Sequence, residues 1–227
     1  MKLFLITLIL TGIWPIESKA QQLRFIAKYG AENLNRFPNK YLCKNGDTIE
    51  FSVLKFYISN PEFRKNGITV YKPKQQYYLV DFGMKHSTIL NFEVPNKIKY
   101  DELLFNIGID SATNCGGAMG GALDPTLGMY WTWQNGYIHF KLEGKSSRCL
   151  NRNHQFEFHI GGYKTPFNTL QKIRIPTQTS KQIIIEIDLS ILMDSIDLAT
   201  LHHIMSPCNE AVKFSEKFPY IFYPPKR

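Results

Sequence analysis

The sequence lacks the motifs by which many enzymes are recognised. Its 227 residues contain no G-x-S-x-G, H-E-x-x-H, Walker A or G-x-G-x-x-G motif. A block of like charges is missing too: the formal net charge is +8, but no basic run exceeds the two residues of Lys226-Arg227. Nucleic-acid binding is therefore not expected. Repeats and low-complexity linkers are also absent. These absences favour one domain that is not a recognisable enzyme.

Only one long apolar run is present, and it lies at the N-terminus. Lys2 precedes the run Leu3–Ile13, and the small residues Ser18 and Ala20 stand three and one positions before Gln21. This pattern predicts a signal peptide over residues 1–20, with cleavage before Gln21 and a single mature domain over 21–227. The run is too short to span the bilayer, which takes about 20 residues. We expect a periplasmic or extracellular protein with no transmembrane segment after cleavage.

Cysteines are few, and all of them follow the predicted signal. Their number is even, and an exported protein meets an oxidising compartment, so one or two disulfides are expected. The alternative, a thiolate metal site, is less favoured because no two cysteines have a C-x₂-C spacing. The pairing stays open among Cys43, Cys115, Cys149 and Cys208.

Short segments rich in aromatic and β-branched residues recur between turn signals such as Asn45-Gly46-Asp47, Asn66-Gly67 and Asn135-Gly136. They predict an all-β fold, an antiparallel sandwich or flattened barrel. The expected strands are Leu23–Tyr29, Ile49–Ile58, Ile68–Tyr71, Tyr77–Phe82, Thr88–Val94, Leu103–Ile109, Tyr137–Leu142, Phe156–Ile160, Leu170–Ile175 and Ile183–Leu189.

A short helical element is expected near the C-terminus. Ser206-Pro207 has the form of a cap and first-turn proline, and it precedes a helix predicted over Cys208–Phe218. One stripe of that helix would consist of Ala211, Phe214, Ser215 and Phe218.

The strand pattern is interrupted by the long segment 111–134, which contains Gly116-Gly117 and Gly120-Gly121. Loops this long in compact domains are usually functional or disordered. Disorder is not favoured here because the segment ends in Met129, Tyr130, Trp131 and Trp133, which are large apolar side chains. In an extended chain, the two tryptophans would point to the same face. They form either a core cluster or a binding platform and oxidation target.

His159 lies in a predicted strand whose apolar face consists of Phe156, Phe158 and Ile160. It points to the opposite face, where a histidine is usually solvated or hydrogen-bonded and is otherwise a metal ligand. Soft or borderline partners elsewhere in the sequence are Met119, Met129, His139 and Met205.

Several segments together resemble the MbnP-like family of exported, β-rich proteins associated with methanobactin and copper homeostasis. The most specific is the M-x-W-x-W-Q-x-G-Y block from Met129 to Tyr137. The others are Phe56-Tyr57-Ile58-Ser59-Asn60, Tyr78-Leu79-Val80-Asp81, Asn106-Ile107-Gly108-Ile109-Asp110, Leu123-Asp124-Pro125 and Phe158-His159-Ile160-Gly161-Gly162.

The resemblance implies a non-catalytic, copper-binding protein with His159 as a ligand. It also implies that Trp131 or Trp133 is oxidised to kynurenine by a partner di-haem oxidase related to MauG. The sequence departs from the family pattern where copper-binding members carry histidines, because those positions hold Ser59 and Cys115. Cys115 and Met129 would then be the sulfur ligands, since sulfur suits Cu(I). The alternative is a metal-free, secreted interaction module that binds a protein or glycan through residues 111–134.

Overall fold

The computed structural model describes residues 18–34, 39–43 and 46–225. Residues 1–17 of the predicted signal lie outside this range, as do Asn45 of one predicted turn and Lys226-Arg227. Within the described residues, no helix combines the length and apolar character needed to cross a membrane. The first strand begins at Ser18, three residues before the predicted cleavage point.

The described residues form fifteen strands and four short α-helices. The strands are β1 (Ser18–Tyr29), β2 (Glu32–Asn33), β3 (Asn39–Leu42), β4 (Thr48–Lys65), β5 (Ile68–Tyr71), β6 (Tyr77–Asp81), β7 (Ile89–Pro95), β8 (Glu102–Ile107), β9 (Tyr130–Trp131), β10 (Gly136–Ser146), β11 (Gln155–Gly161), β12 (Gln171–Pro176), β13 (Gln182–Asp188), β14 (His203–Ile204) and β15 (Phe222–Tyr223). The helices are α1 (Ser111–Cys115), α2 (Leu189–Met193), α3 (Asn209–Ser215) and α4 (Phe218–Ile221).

The strands form two sheets. The small sheet has the order β15-β13-β1-β2, with β7 also paired to β1. The large sheet has the order β12-β8-β4-β10-β11-β14, with β3, β5 and β6 on β4 and with β9 on β10. Its organising element is the 18-residue strand β4, which pairs with β10 over its first part and with β8 over its second.

The main core lies between the two sheets and is dominated by phenylalanine. Phe25 of the small sheet packs edge-on against Phe56 of the large sheet, with ring centroids 5.5 Å apart. Phe92 and Phe63 make a similar contact at 5.7 Å. Edge-to-face pairs of this kind add to the stabilisation that burial of their area provides. The inward face of β11, formed by Phe156, Phe158 and Ile160, is fully buried here as predicted.

A second core covers the outer face of the large sheet. We call it the outer aromatic cluster; it consists of Tyr57, Ile109, Leu123, Met129, Trp131, Tyr137 and Ile138. Four consecutive residues of β4, Phe56 to Ser59, are consequently all buried, because the sheet is covered on both faces at this point. The cover is the long segment predicted to be functional, which contains α1, two short 3₁₀ turns and β9.

The mostly β architecture is confirmed, and each of the ten predicted segments contains a strand. The sheets are mixed rather than purely antiparallel, because β1 runs parallel to β13 and β11 runs parallel to β14. Alternation of apolar residues does not reveal strand direction, which explains that difference.

The predicted C-terminal helix over Cys208–Phe218 is divided in two, since α3 ends at Ser215 and α4 begins at Phe218. Pro219 accounts for the break. A proline inside a continuous helix would lack an N–H donor, and its ring would clash with the carbonyl four residues before it, here that of Ser215.

The predicted disulfides are absent from the described structure, in which all four cysteines are free thiols. They lie in different parts of the chain: Cys43 follows β3, Cys115 ends α1, Cys149 lies between β10 and β11, and Cys208 caps α3. The Sγ atom of Cys43 accepts a hydrogen bond from the hydroxyl of Tyr29 at 3.2 Å.

Candidate functional site

Trp131 is anchored against strand β11 within the outer aromatic cluster. It is 5% exposed, and its ring edge lies directly over Gly161. A side chain at Gly161 would place its Cβ 2.7 Å from Cζ3 of the indole, so only glycine allows this approach. Gly161 stands two residues after His159 on the same strand. Trp131 and His159 therefore lie along the same face of the large sheet.

Trp133 has a different environment. Strand β9 ends at Trp131 and residues 132–135 form a turn, so the extended geometry assumed for the pair does not continue. Trp133 is 65% exposed, with its ring centroid 6.1 Å from that of Trp131. One tryptophan is thus a core residue and the other is a surface residue.

His159 is buried, although the alternation places it on the outer face. It is 6% exposed, and its Nε2 lies 2.7 Å from Oε1 of Glu143. Glu143 also pairs with Lys141 at 3.2 Å. The pKa of Glu143 is lowered, first by the hydrogen bond from His159 and then by the positive charge of Lys141. An ionised carboxylate only accepts hydrogen bonds, so Nε2 of His159 is the donor.

Lysines connect this pair to the covering segment. Lys141 lies opposite His159 in the ladder, and its Nζ donates to the carbonyl oxygen of Gly128 at 3.4 Å. Lys55, the next residue across the sheet, donates to the carbonyl of Leu127 at 3.4 Å and pairs with Asp81 at 2.9 Å. The two ammonium groups thus hold the chain immediately before Met129.

Met129 is fully buried in the outer aromatic cluster. Its backbone carbonyl accepts a hydrogen bond from Ile138 at 2.9 Å, which fixes it beside β10. Cys115 instead lies exposed at the end of α1, on a surface groove that also involves Tyr130 and Tyr163. Of the three predicted ligands, Met129 and His159 share the covered face of the sheet, and Cys115 is on the surface.

The covering segment is fixed by buried polar groups. The amide of Asn114 accepts from the backbone N–H of Tyr137 at 2.9 Å and donates to the carbonyl of Ile109 at 2.8 Å. The hydroxyl of Tyr137 accepts from the N–H of Met119 at 3.0 Å and donates to the carbonyl of Leu123 at 3.1 Å. These contacts explain why the glycine-rich segment is ordered.

His139, which the sequence indicates only as a borderline metal partner, is a buried titratable residue. It is fully buried, its ring contacts Gly108, and its Nδ1 lies 2.9 Å from Oγ1 of Thr169. Its Nε2 has no hydrogen-bond partner among the described residues. Burial lowers the pKa of His139 to about 4. The signal in the sequence is the run Tyr137–Phe140, whose apolar residues flank the histidine on both sides and indicate burial on both faces of β10.

The described residues contain no group of three or more histidine, cysteine, aspartate or glutamate side chains placed to hold a metal ion. His203 and Glu157 form a separate surface pair, with Nδ1 and Oε2 3.4 Å apart. The chemistry available at the covered face is therefore one oriented imidazole, one buried thioether and an aromatic wall, rather than a complete set of hard ligands.

These features define a β-sandwich protein whose large sheet carries, on its outer face, an aromatic cover and a buried histidine bonded to a partly exposed carboxylate. The sequence model of the MbnP family matches residues 18–209, and the chain belongs to that family, which is associated with methanobactin and copper. Among solved structures, MbnP from Methylosinus trichosporium is similar in fold, with a TM-score of 0.60 and 15% sequence identity over 81% of this chain and 80% of that chain. No significant match was found among curated proteins.

Proposed function

We propose that the protein is an exported, non-catalytic copper-binding member of the MbnP family, with His159 as a copper ligand. The observation that carries this proposal is the hydrogen bond between His159 and Glu143. Histidines that bind metals almost always donate their other ring N–H to a carboxylate, a carbonyl or water. With Nε2 donating to Glu143, Nδ1 is the ring nitrogen at which a metal would bind.

The donors present suit Cu(I) better than a hard divalent cation. Met129 supplies a thioether on the same covered face, and sulfur and imidazole are ligands that the cuprous ion accepts. Bound at this site, Cu(I) would act as a soft Lewis acid that needs few ligands. Glu143 would orient the imidazole, Lys141 would hold the chain before Met129, and the outer aromatic cluster would keep the Met129 thioether buried.

The first prediction concerns copper stoichiometry. After anaerobic Cu(I) loading and desalting, the parent protein is expected to retain a single copper ion per chain. His159→Ala is expected to retain none, because it removes the imidazole donor. Metal analysis beside circular dichroism gives the ratio and checks folding.

The matched control is His86→Ala, since His86 is an exposed histidine of the 3₁₀ turn Lys85–Thr88. It should bind copper as the parent does. Glu143→Gln keeps the shape but not the charge and is expected to weaken binding roughly 10- to 100-fold, as is usual for groups that orient a ligand. Equal stoichiometry in the parent, His86→Ala and His159→Ala would eliminate His159 as a ligand.

The second prediction concerns tryptophan oxidation. A partner di-haem oxidase related to MauG is proposed to convert Trp133 to kynurenine, because a protein-sized oxidant can approach the exposed indole of Trp133 but not the buried indole of Trp131. Protein from its native host should therefore carry the kynurenine mass increase at position 133, as read from fragment ions. A Trp133→Phe variant should show no increase. Modification of Trp131 instead, or of neither residue, would contradict the assignment.

A second candidate function is an interaction module that uses residues 111–134 to bind a protein or glycan without metal. Its support is the exposure of Trp133 and Met119, which are 65% and 48% exposed. Large apolar side chains at a surface often mark contact sites. An unmodified mass together with the absence of copper binding would favour this function.

A further inference from the structure

A groove separates the β9–β10 hairpin from the segment that follows β11. It has a volume of about 260 Å³. Small-molecule sites usually have volumes of roughly 300–1,000 Å³, so this groove has room for about one ring system. It is lined by Trp131, Gln134, Gly136, Tyr137, Gly162, Tyr163, Lys164, Thr165, Phe167 and Pro207.

The walls of the groove are mainly aromatic, and two of them are fixed. Trp131 is held against Gly161, and Tyr137 is 1% exposed with its hydroxyl bonded to the covering segment. Rigid aromatic side chains lose little conformational entropy on binding and offer flat surfaces for stacking. The occupant should therefore present a planar, apolar face.

One charged side chain distinguishes the groove from a plain apolar patch. Lys164 is the one charged residue among those that line it, and its ammonium is 5.3 Å from the ring centroid of Tyr163. No carboxylate is among the described residues that line the groove. A cation in an aromatic groove without a carboxylate in its described lining favours an anionic occupant.

We infer that this groove binds an aromatic carboxylate, with the ring between the aromatic walls and the carboxylate paired with Lys164. Either a free small acid or the C-terminal aromatic residue of a peptide offers this chemistry. His159 and Met129 do not line the groove, so the inference stands independently of the proposed copper site.

Phenylacetate is the probe and phenylacetamide its neutral counterpart, titrated calorimetrically into the full protein in buffer with a copper chelator. Phenylacetate is expected to bind up to about fivefold more tightly than the amide, because its carboxylate pairs with the ammonium of Lys164 and an ion pair at an exposed lysine is weak. Lys164→Gln should remove that difference. Lys164 is exposed, so the substitution should leave folding unchanged.

Lys172→Gln is the matched control, since Lys172 is an exposed lysine of β12 that does not line the groove. It should keep the preference for the acid.

Glycyl-phenylalanine tests the peptide source: binding at least about tenfold tighter than phenylacetate assigns the site to a peptide C-terminus, and weaker binding assigns it to a free acid. Equal binding of acid and amide, absence of binding by both, or an equal loss in Lys172→Gln would overturn the inference.

Discussion

Replacing Gly144 with alanine is expected to destabilise the domain by about 3 kcal/mol or more, among the largest effects that any single methyl group could have here. Gly144 lies in β10 between Phe51 of β4 and Phe156 of β11. A Cβ at this position would be 2.0 Å from the carbonyl oxygen of Glu50 and 2.5 Å from Cζ of Phe156. The carbonyl oxygen of Glu50 belongs to the backbone of β4. Relieving this clash therefore requires β4 and β10, the two central strands of the large sheet, to separate.

Urea unfolding followed by circular dichroism measures this effect, since the loss is a large share of the roughly 5–15 kcal/mol that stabilises a typical domain. Gly120→Ala is the matched control. Gly120 has a φ of −96°, and a Cβ there would meet no atom within 4 Å. The Gly120→Ala variant should have the same urea midpoint of unfolding as the parent. A Gly144→Ala protein as stable as Gly120→Ala would show that β4 and β10 are not packed as described.

The sequence predicted the strands well because their signals are local. Asn66 and Asn135 adopt positive φ angles of 49° and 53° at predicted turns, and the β-branched and aromatic runs beside them form strands. The break between α3 and α4 is also local, since it follows from Pro219. The parallel pairing of β1 with β13 is not local: it joins segments about 160 residues apart, and nothing in either segment specifies the direction of the other.

The candidate site was only partly predictable for the same reason. The alternation in β11 correctly removed His159 from the main core, but it did not identify Glu143 as the hydrogen-bond partner or Lys141 as the charge beside it. That environment depends on the register between β10 and β11, together with the cover over the outer face. A more informative signal is the run of consecutive apolar residues Phe56-Tyr57-Ile58, since a strand that is buried on both faces needs a second layer of residues.

Acidification from pH 7 to pH 5 is expected to lower the free energy of unfolding by about 2 kcal/mol through His139 alone. Burial lowers the pKa of this imidazole to about 4, whereas an unfolded chain has a histidine pKa of about 6.5. Between these values the unfolded state binds a proton and the folded state does not. Stability is therefore complete above pH 6.5 and is lost as the pH falls toward 4, with a total loss of about 3 kcal/mol.

His139→Gln tests this expectation, because glutamine can still hydrogen-bond Thr169 but does not titrate. Urea unfolding of this variant should depend less on pH than that of the parent, by about 2 kcal/mol between pH 7 and pH 5. His86→Gln, at an exposed histidine, should keep the parent's dependence. If His139→Gln does not fold, NMR titration of the parent imidazole gives the pKa directly. A measured pKa near 6.5 would mean that water or another partner reaches Nε2, and that burial does not hold His139 in its neutral form.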